Sequence, residues 1–100
     1  MNAPTEKIVL NVGCGPRLPD KLAPLFRTRG WREVRLDIDP NVQPDLVGSL
    51  TDMSAVAAGS CDAVWSSHNL EHLYAYEVPK ALAEFKRVLK PDGFLLITLP

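Results

Sequence analysis

The sequence predicts one α/β domain built on a parallel sheet. Three observations carry this. β-rich runs recur along the chain, among them Lys7 to Val12, Glu33 to Ile38 and Cys61 to Trp65, with turn-like or helical segments between them. The runs Cys61 to Trp65 and Phe94 to Leu99 are largely apolar, as in strands covered on both faces. Strands that alternate with helices imply right-handed βαβ crossovers, and therefore parallel pairing.

The elements follow in order. Lys7 to Val12 (KIVLNV) is a strand that stops at Gly13-Cys14-Gly15. A short helix is expected from Asp20, a natural cap, to Arg29, with Pro24 near its first turn and Gly30 ending it. Glu33 to Ile38 (EVRLDI) is a second strand closing on Asp37 and Asp39 before Pro40, and Asp45 to Gly48 is a weak third. Met53 to Ala58 is expected to form one or two helical turns, and Cys61 to Trp65 a fourth strand. Tyr76 to Leu89 carries the clearest helical pattern. Val78, Ala81, Leu82, Phe85, Val88 and Leu89 make one apolar stripe, with Glu77, Lys80, Glu84, Lys86 and Arg87 opposite. Lys90 to Gly93 reads as a turn, and Phe94 to Leu99 (FLLITL) as a fifth strand.

The chain of 100 residues is 46% hydrophobic and 23% charged, an ordinary globular balance, and its net charge of −1 gives no global pull toward nucleic acid or a membrane. Arg17, Lys21, Arg27, Arg29, Arg32 and Arg35 cluster, opposed by Asp20 and Glu33, and are read as a solvated helix and turn. Neither a signal pattern nor a membrane-length apolar run is present, so the expected compartment is the cytoplasm.

In a parallel sheet of this kind ligands collect at the carboxyl ends of the strands. Gly13 to Arg17, Asp37 to Pro40, Ser49 to Leu50 and Ser66 to His72 should therefore share one rim. The glycines let the backbone approach a ligand closely, and Asp37, 22 residues after Gly15, is placed to accept from a ribose. Pyrophosphate motifs do not fit. The third glycine of a dinucleotide fingerprint would fall at Leu18, and no lysine followed by Ser or Thr follows the second glycine.

Taken together, VLNVGCGPR, RLDIDP, DLVGSL and CDAVWSSHNLEHL followed by a helix and LKPDGFLLITLP resemble the class I S-adenosylmethionine-dependent methyltransferases along nearly the whole chain. The resemblance implies a Rossmann-like parallel sheet of strand order 3-2-1-4-5 with helices on both faces. It also implies that S-adenosylmethionine is the cofactor, with S-adenosylhomocysteine as product. Asn11, Gly13, Cys14 and Gly15 would border the methionine part, and Asp37 the ribose hydroxyls. Ile38, Ser49 and Leu50 would lie by the adenine, and Ser67 and His68 near the sulfonium. The chain departs from the family at Asn11 and Ser49, where acids are usual, and at Arg17, where a third glycine is usual.

The family fold runs on past the fifth strand, whereas this sequence stops at Pro100. The resemblance thus implies a core incomplete at its C-terminus or completed by another chain. FLLITL is left with an unpaired edge through which a second copy could pair. In the family's strand order Cys14 and Cys61 sit at opposite ends of neighbouring strands, about 16 Å apart, so they are expected to stay thiols.

HNLEH also fits H-x-x-E-H, which makes a zinc hydrolase using His68, Glu71 and His72 the minor alternative. It would need a third ligand such as Glu77 or Glu84, and His68 follows a strand too closely to share a helix face with His72. No metal is expected. Nor is a catalytic residue assigned, because an in-line displacement from a sulfonium relies chiefly on positioning. The expected acceptor is a small molecule, with nucleic acid and membrane excluded. A cofactor-binding domain without catalysis is the other alternative.

Overall fold

A computed structural model describes residues 6–18 and 22–100. Five parallel strands form one sheet: β1 (Lys7–Val12), β2 (Trp31–Asp37), β3 (Leu46–Val47), β4 (Cys61–Ser67) and β5 (Leu89–Thr98), in the order β3-β2-β1-β4-β5. The expected strand order is the one found. β1 lies at the centre, Val12 opposite Leu36 on one side and Ser66 on the other. Its last four residues are all buried, as a strand covered on both faces requires.

Each face has its own core. On one, Leu10, Val12, Leu36 and Val64 pack with Met53, Val56 and Cys61 beneath α1 (Val78–Val88), which contributes Ala81, Phe85 and Val88. On the other, Val9, Ala63 and Trp65 surround Phe26, whose ring meets Trp31 edge-on at 4.9 Å. The apolar stripe of α1 is narrower than its sequence pattern, because Leu82 is 41% exposed.

Several sequence expectations give way here. The helix placed at Asp20 to Arg29 is, among the described residues, only a 3-10 turn over Pro24–Arg27; Asp20 itself lies outside them. The Pro24 ring drives Ala23 into an extended conformation, ψ 142°, and no side chain caps the turn. Met53 to Ala58 closes one turn, the Val56 amide donating to Met53 O at 2.9 Å, and forms no helix; side chains from α1 bond its Met53 and Val56 backbone groups (below). Lys90 to Gly93 does not separate helix from strand: β5 runs from Leu89 and absorbs these residues as an irregularity between the pairs Cys61–Leu89 and Ala63–Phe94. Arg35 is no part of a solvated face. It is 2% exposed, and its guanidinium donates to the carbonyls of Gly15, Gln43 and Val42.

At the amino ends of the strands, Asp62 accepts the Ile8 amide at 2.8 Å and pairs with Lys90 at 3.3 Å, joining β1, β4 and β5. Desolvation would raise the Asp62 carboxyl, but the Ile8 amide and the Lys90 ammonium outweigh it and hold the group below its ordinary range. Cys14 and Cys61 are both buried thiols, and burial pushes the Cys61 thiol up. Among the described residues no helix is long and apolar enough to cross a membrane.

Candidate functional site

The carboxyl ends of β1, β2 and β4 converge on one groove. β1 ends in Gly13 and Gly15, both in the left-handed region at φ 60° and 64°. That conformation aims the Gly15 amide at Asp37 Oδ2, 2.8 Å away, while the Cys14 amide donates to Leu36 O at 3.0 Å. The second Asp37 oxygen accepts the Asp39 amide at 2.9 Å. A carboxylate offers about four lone-pair positions, so Asp37 keeps acceptor capacity for two further donors.

β4 ends differently. The His68 amide donates to Thr98 O at 2.9 Å, prolonging the ladder to β5, and the chain then turns at His68 with φ 55°. A left-handed conformation at a residue with a Cβ costs about 1–2 kcal/mol. The turn carries Asn69 over the tip of β1, where its Nδ2 donates to Val12 O at 2.7 Å. A Cβ on Gly13 would lie 2.4 Å from Asn69 Oδ1, so the glycine is what lets Asn69 close onto the strand.

The far wall is the segment after β3. Gly48 donates to Asp37 O at 3.0 Å, and Ser49 and Asp52 exchange backbone bonds of 3.2 and 3.1 Å to make a tight turn. The groove measures about 340 Å³. Its lining combines Gly13, Asp37 and Asn69 with the apolar Ile38, Leu50 and Leu73. Ile38 is 70% exposed, an uncovered apolar surface beside a carboxylate acceptor. A larger cavity of about 660 Å³ opens between β2 and residues 55–61. It lies away from the strand tips and lacks their convergent backbone donors, so the smaller groove is the better ligand site.

The groove brings together five of the residues singled out from the sequence: Gly13, Asp37, Ile38, Ser49 and Leu50. Gly15 adjoins it through Asp37. Cys14 is buried, and Asn11 is turned away from the rim, its Nδ2 donating to Glu33 Oε2 at 2.8 Å. Ser67 lies outside the lining, its hydroxyl bonded to Thr98 Oγ1 at 3.0 Å. His68 is also outside it and is exposed. Of the other lining residues, Asn69 and His72 fall in the expected rim segment Ser66 to His72 but are assigned no cofactor role from sequence, and Thr51, Leu73 and Glu77 are not expected in the groove. Only the positions of Asn69, His72 and Leu73 just beyond β4 could have signalled them.

The H-x-x-E-H pattern folds as a 3-10 turn at Leu70–His72. His68 Nδ1 and His72 Nε2 both face Glu71 Oε2, at 3.6 and 3.9 Å, and their side chains are 58% and 77% exposed. The histidines therefore flank a carboxylate instead of sharing a helix face. Among the described residues no three His, Cys, Asp or Glu side chains gather to hold a metal.

The chain matches a family described as a methyltransferase domain over residues 10–97. Among curated proteins no sequence matches it. The PH0226 protein of Pyrococcus horikoshii superposes with a TM-score of 0.73 at 23% identity, over 94% of this chain and 50% of that one. A SAM-dependent methyltransferase from Archaeoglobus fulgidus gives 0.74 at 21% identity, over 97% and 46%. The complex between the Haloferax volcanii Trm112 methyltransferase activator and a protein assigned as a methyltransferase gives 0.66 at 32% identity, over 91% and 45%. The chain thus spans about half the length of the solved structures it resembles.

Proposed function

This chain belongs to the methyltransferase domain family, and from that premise we propose that it binds S-adenosylmethionine across the tips of β1, β2 and β4 for methyl transfer to a small-molecule acceptor. One observation carries the reading: the left-handed glycine turn and Asp37 are joined by the 2.8 Å bond from Gly15 N–H to Asp37 Oδ2 at the head of a partly apolar groove.

The residues present fit the cofactor. Asp37 retains acceptor capacity for the two ribose hydroxyls, and Ile38 and Leu50 offer apolar surface to the adenine. Gly13, lacking a Cβ, lets Asn69 close onto the tip of β1, and both residues line the groove on the side where the methionine part would lie. When bound, the cofactor would supply an electrophilic methyl group on a sulfonium, open to in-line attack. The protein's share is to orient and to exclude water. Asn69 fixes the β4 tip against β1, and the Ser49–Asp52 turn closes the opposite wall.

Calorimetry with S-adenosylmethionine and S-adenosylhomocysteine, on the wild type and Asp37→Ala, tests this. Binding by the wild type and at least a tenfold loss in the variant are expected. No heat from either ligand would sink the cofactor reading, and equal affinities would sink the ribose assignment.

A second reading keeps the cofactor and drops the transfer, leaving a domain that binds S-adenosylmethionine without catalysis. Separately, β5, ten residues long, lies at the edge of the sheet and offers a pairing surface to a second copy. Pairing of two copies through that edge would appear as concentration-dependent size in light scattering, and a constant monomer mass would count against it. The cytoplasm is retained as the compartment on the sequence reading alone.

A further inference from the structure

Helix α1 holds the groove's far wall from outside the groove. Glu84 Oε2 accepts the Met53 amide at 2.6 Å. Arg87 donates from Nη2 to Met53 O at 2.8 Å and from Nη1 to Val56 O at 2.9 Å. The two side chains also lock one another, Arg87 Nε donating to Glu84 Oε1 at 2.8 Å. The Arg87 guanidinium, with help from the Met53 amide against desolvation, holds the Glu84 carboxyl below its ordinary range.

Met53 is the residue that follows the Ser49–Asp52 turn. Its side chain is fully buried in the core beneath α1, while Ser49, Leu50 and Thr51 of the turn line the groove. β3 is only two residues long, so beyond the Gly48 bond to Asp37 O and the buried Met53 side chain, the bonds from α1 are what tie this segment to the rest of the fold. Neither Glu84 nor Arg87 lines the groove.

We propose that Glu84 and Arg87 are positioning residues for the cofactor: by fixing Met53 and Val56 they set the Ser49–Asp52 wall opposite Gly13 and Asp37. The inference rests on the cofactor reading above. Its physical basis is preorganisation. A loop held before the ligand arrives does not have to be ordered by it, so the ordering cost is not taken out of the affinity. The Met53 carbonyl accepts both the Val56 amide, at 2.9 Å, and Arg87, so the guanidinium braces a single local turn at the end of this wall.

The test combines amide hydrogen exchange with S-adenosylhomocysteine titration on the wild type, Arg87→Met, Arg87→Lys and Glu84→Gln. Lys90→Met serves as a destabilised control on the far Asp62 pair. Arg87→Met is expected to speed exchange across residues 49–56 while β1 and β4 stay protected, and to weaken S-adenosylhomocysteine by roughly tenfold. Arg87→Lys and Glu84→Gln, which each keep part of the bonding, should fall between. Lys90→Met should lower the melting temperature yet leave exchange in residues 49–56 and affinity within twofold of wild type.

Unchanged exchange in Arg87→Met and Arg87→Lys would overturn the clamp, whatever the ligand does. Faster exchange with unchanged affinity would overturn the positioning role. A wild type that binds no S-adenosylhomocysteine would remove the cofactor reading and the positioning role with it, while the exchange data still decide whether α1 holds the loop.

Discussion

The Gly15 amide and the Asp37 carboxylate, 2.8 Å apart, tie the tip of β1 to the tip of β2. The acid that would meet a ribose is therefore also a structural acceptor, and Arg35, donating to Gly15 O from beneath, holds the same residue from the other side.

Removing that acceptor should cost stability as well as binding. Asp37→Ala is expected to lose about 1–2 kcal/mol in urea unfolding without ligand, since a charge-assisted bond to a partly buried amide is lost. Asp37→Asn, which keeps one carbonyl oxygen, should lose less. Equal stabilities for all three proteins would mean that the bond contributes nothing to the fold.

Gly13 and Gly59 share a left-handed backbone, at φ 60° and 63°, but not their surroundings. An added Cβ meets nothing within 4 Å at Gly59, whereas at Gly13 it meets the Asn69 amide. Gly59→Ala should therefore cost only the conformational penalty of about 1 kcal/mol, and Gly13→Ala about 2–4 kcal/mol as Asn69 is also displaced from Val12. Adding Asn69→Gly to Gly13→Ala should be less than additive, and full additivity in a double-mutant cycle would argue against the contact.

Acid should unfold the protein partly through Glu84 and Asp62. Both carboxyls lie lower in the folded protein than their ordinary values of 4.5 and 3.8. The unfolded chain therefore binds protons more readily, and the stability these groups contribute is present above those values. It is lost as pH falls through them toward the folded values. Urea midpoints should drop across this window, and drop less steeply in Glu84→Gln. Cys61 works in the opposite sense: its raised thiol contributes stability below its ordinary value of 9.0 that fades as pH rises beyond it. A midpoint flat across the acid range would contradict both carboxyl assignments.

The core beneath α1 hinges on Phe85, fully buried, whereas Leu82 on the same helix is 41% exposed. Phe85→Ala should cost about 3–5 kcal/mol and Leu82→Ala under about 1 kcal/mol, measured by chemical denaturation. Similar losses at the two positions would mean that the stripe is buried more evenly than the structure has it.

Much of the frame was legible in one dimension. β1 begins and ends where its β-rich run does, because Ile8, Val9, Leu10 and Val12 suit a buried strand and the run stops at glycine. The strand order followed once the motifs had been matched to a family, and Asp37 and Ile38 lie in the groove because the carboxyl end of a parallel strand always faces the same rim. Local signals were weaker guides where side chains from elsewhere decide the backbone. Met53 to Ala58 has the composition of a helical turn and closes one, Val56 N–H donating to Met53 O, but it goes no further, and Glu84 and Arg87, some thirty positions along, bond its Met53 amide and Val56 carbonyl. Lys90 to Gly93 looks like a turn and is instead carried inside β5.

The sequence by itself determined the order of strands and helix, the glycine turn and the acid beyond it, since these depend on periodicity and on the φ range of single residues. Only the tertiary structure decided that Asn69 fills the space over Gly13, that Arg35 is buried on carbonyls, and that α1 grips the loop at Met53. Those facts depend on which distant groups come within hydrogen-bonding distance, about 3 Å, when the chain closes, and no local pattern encodes that distance.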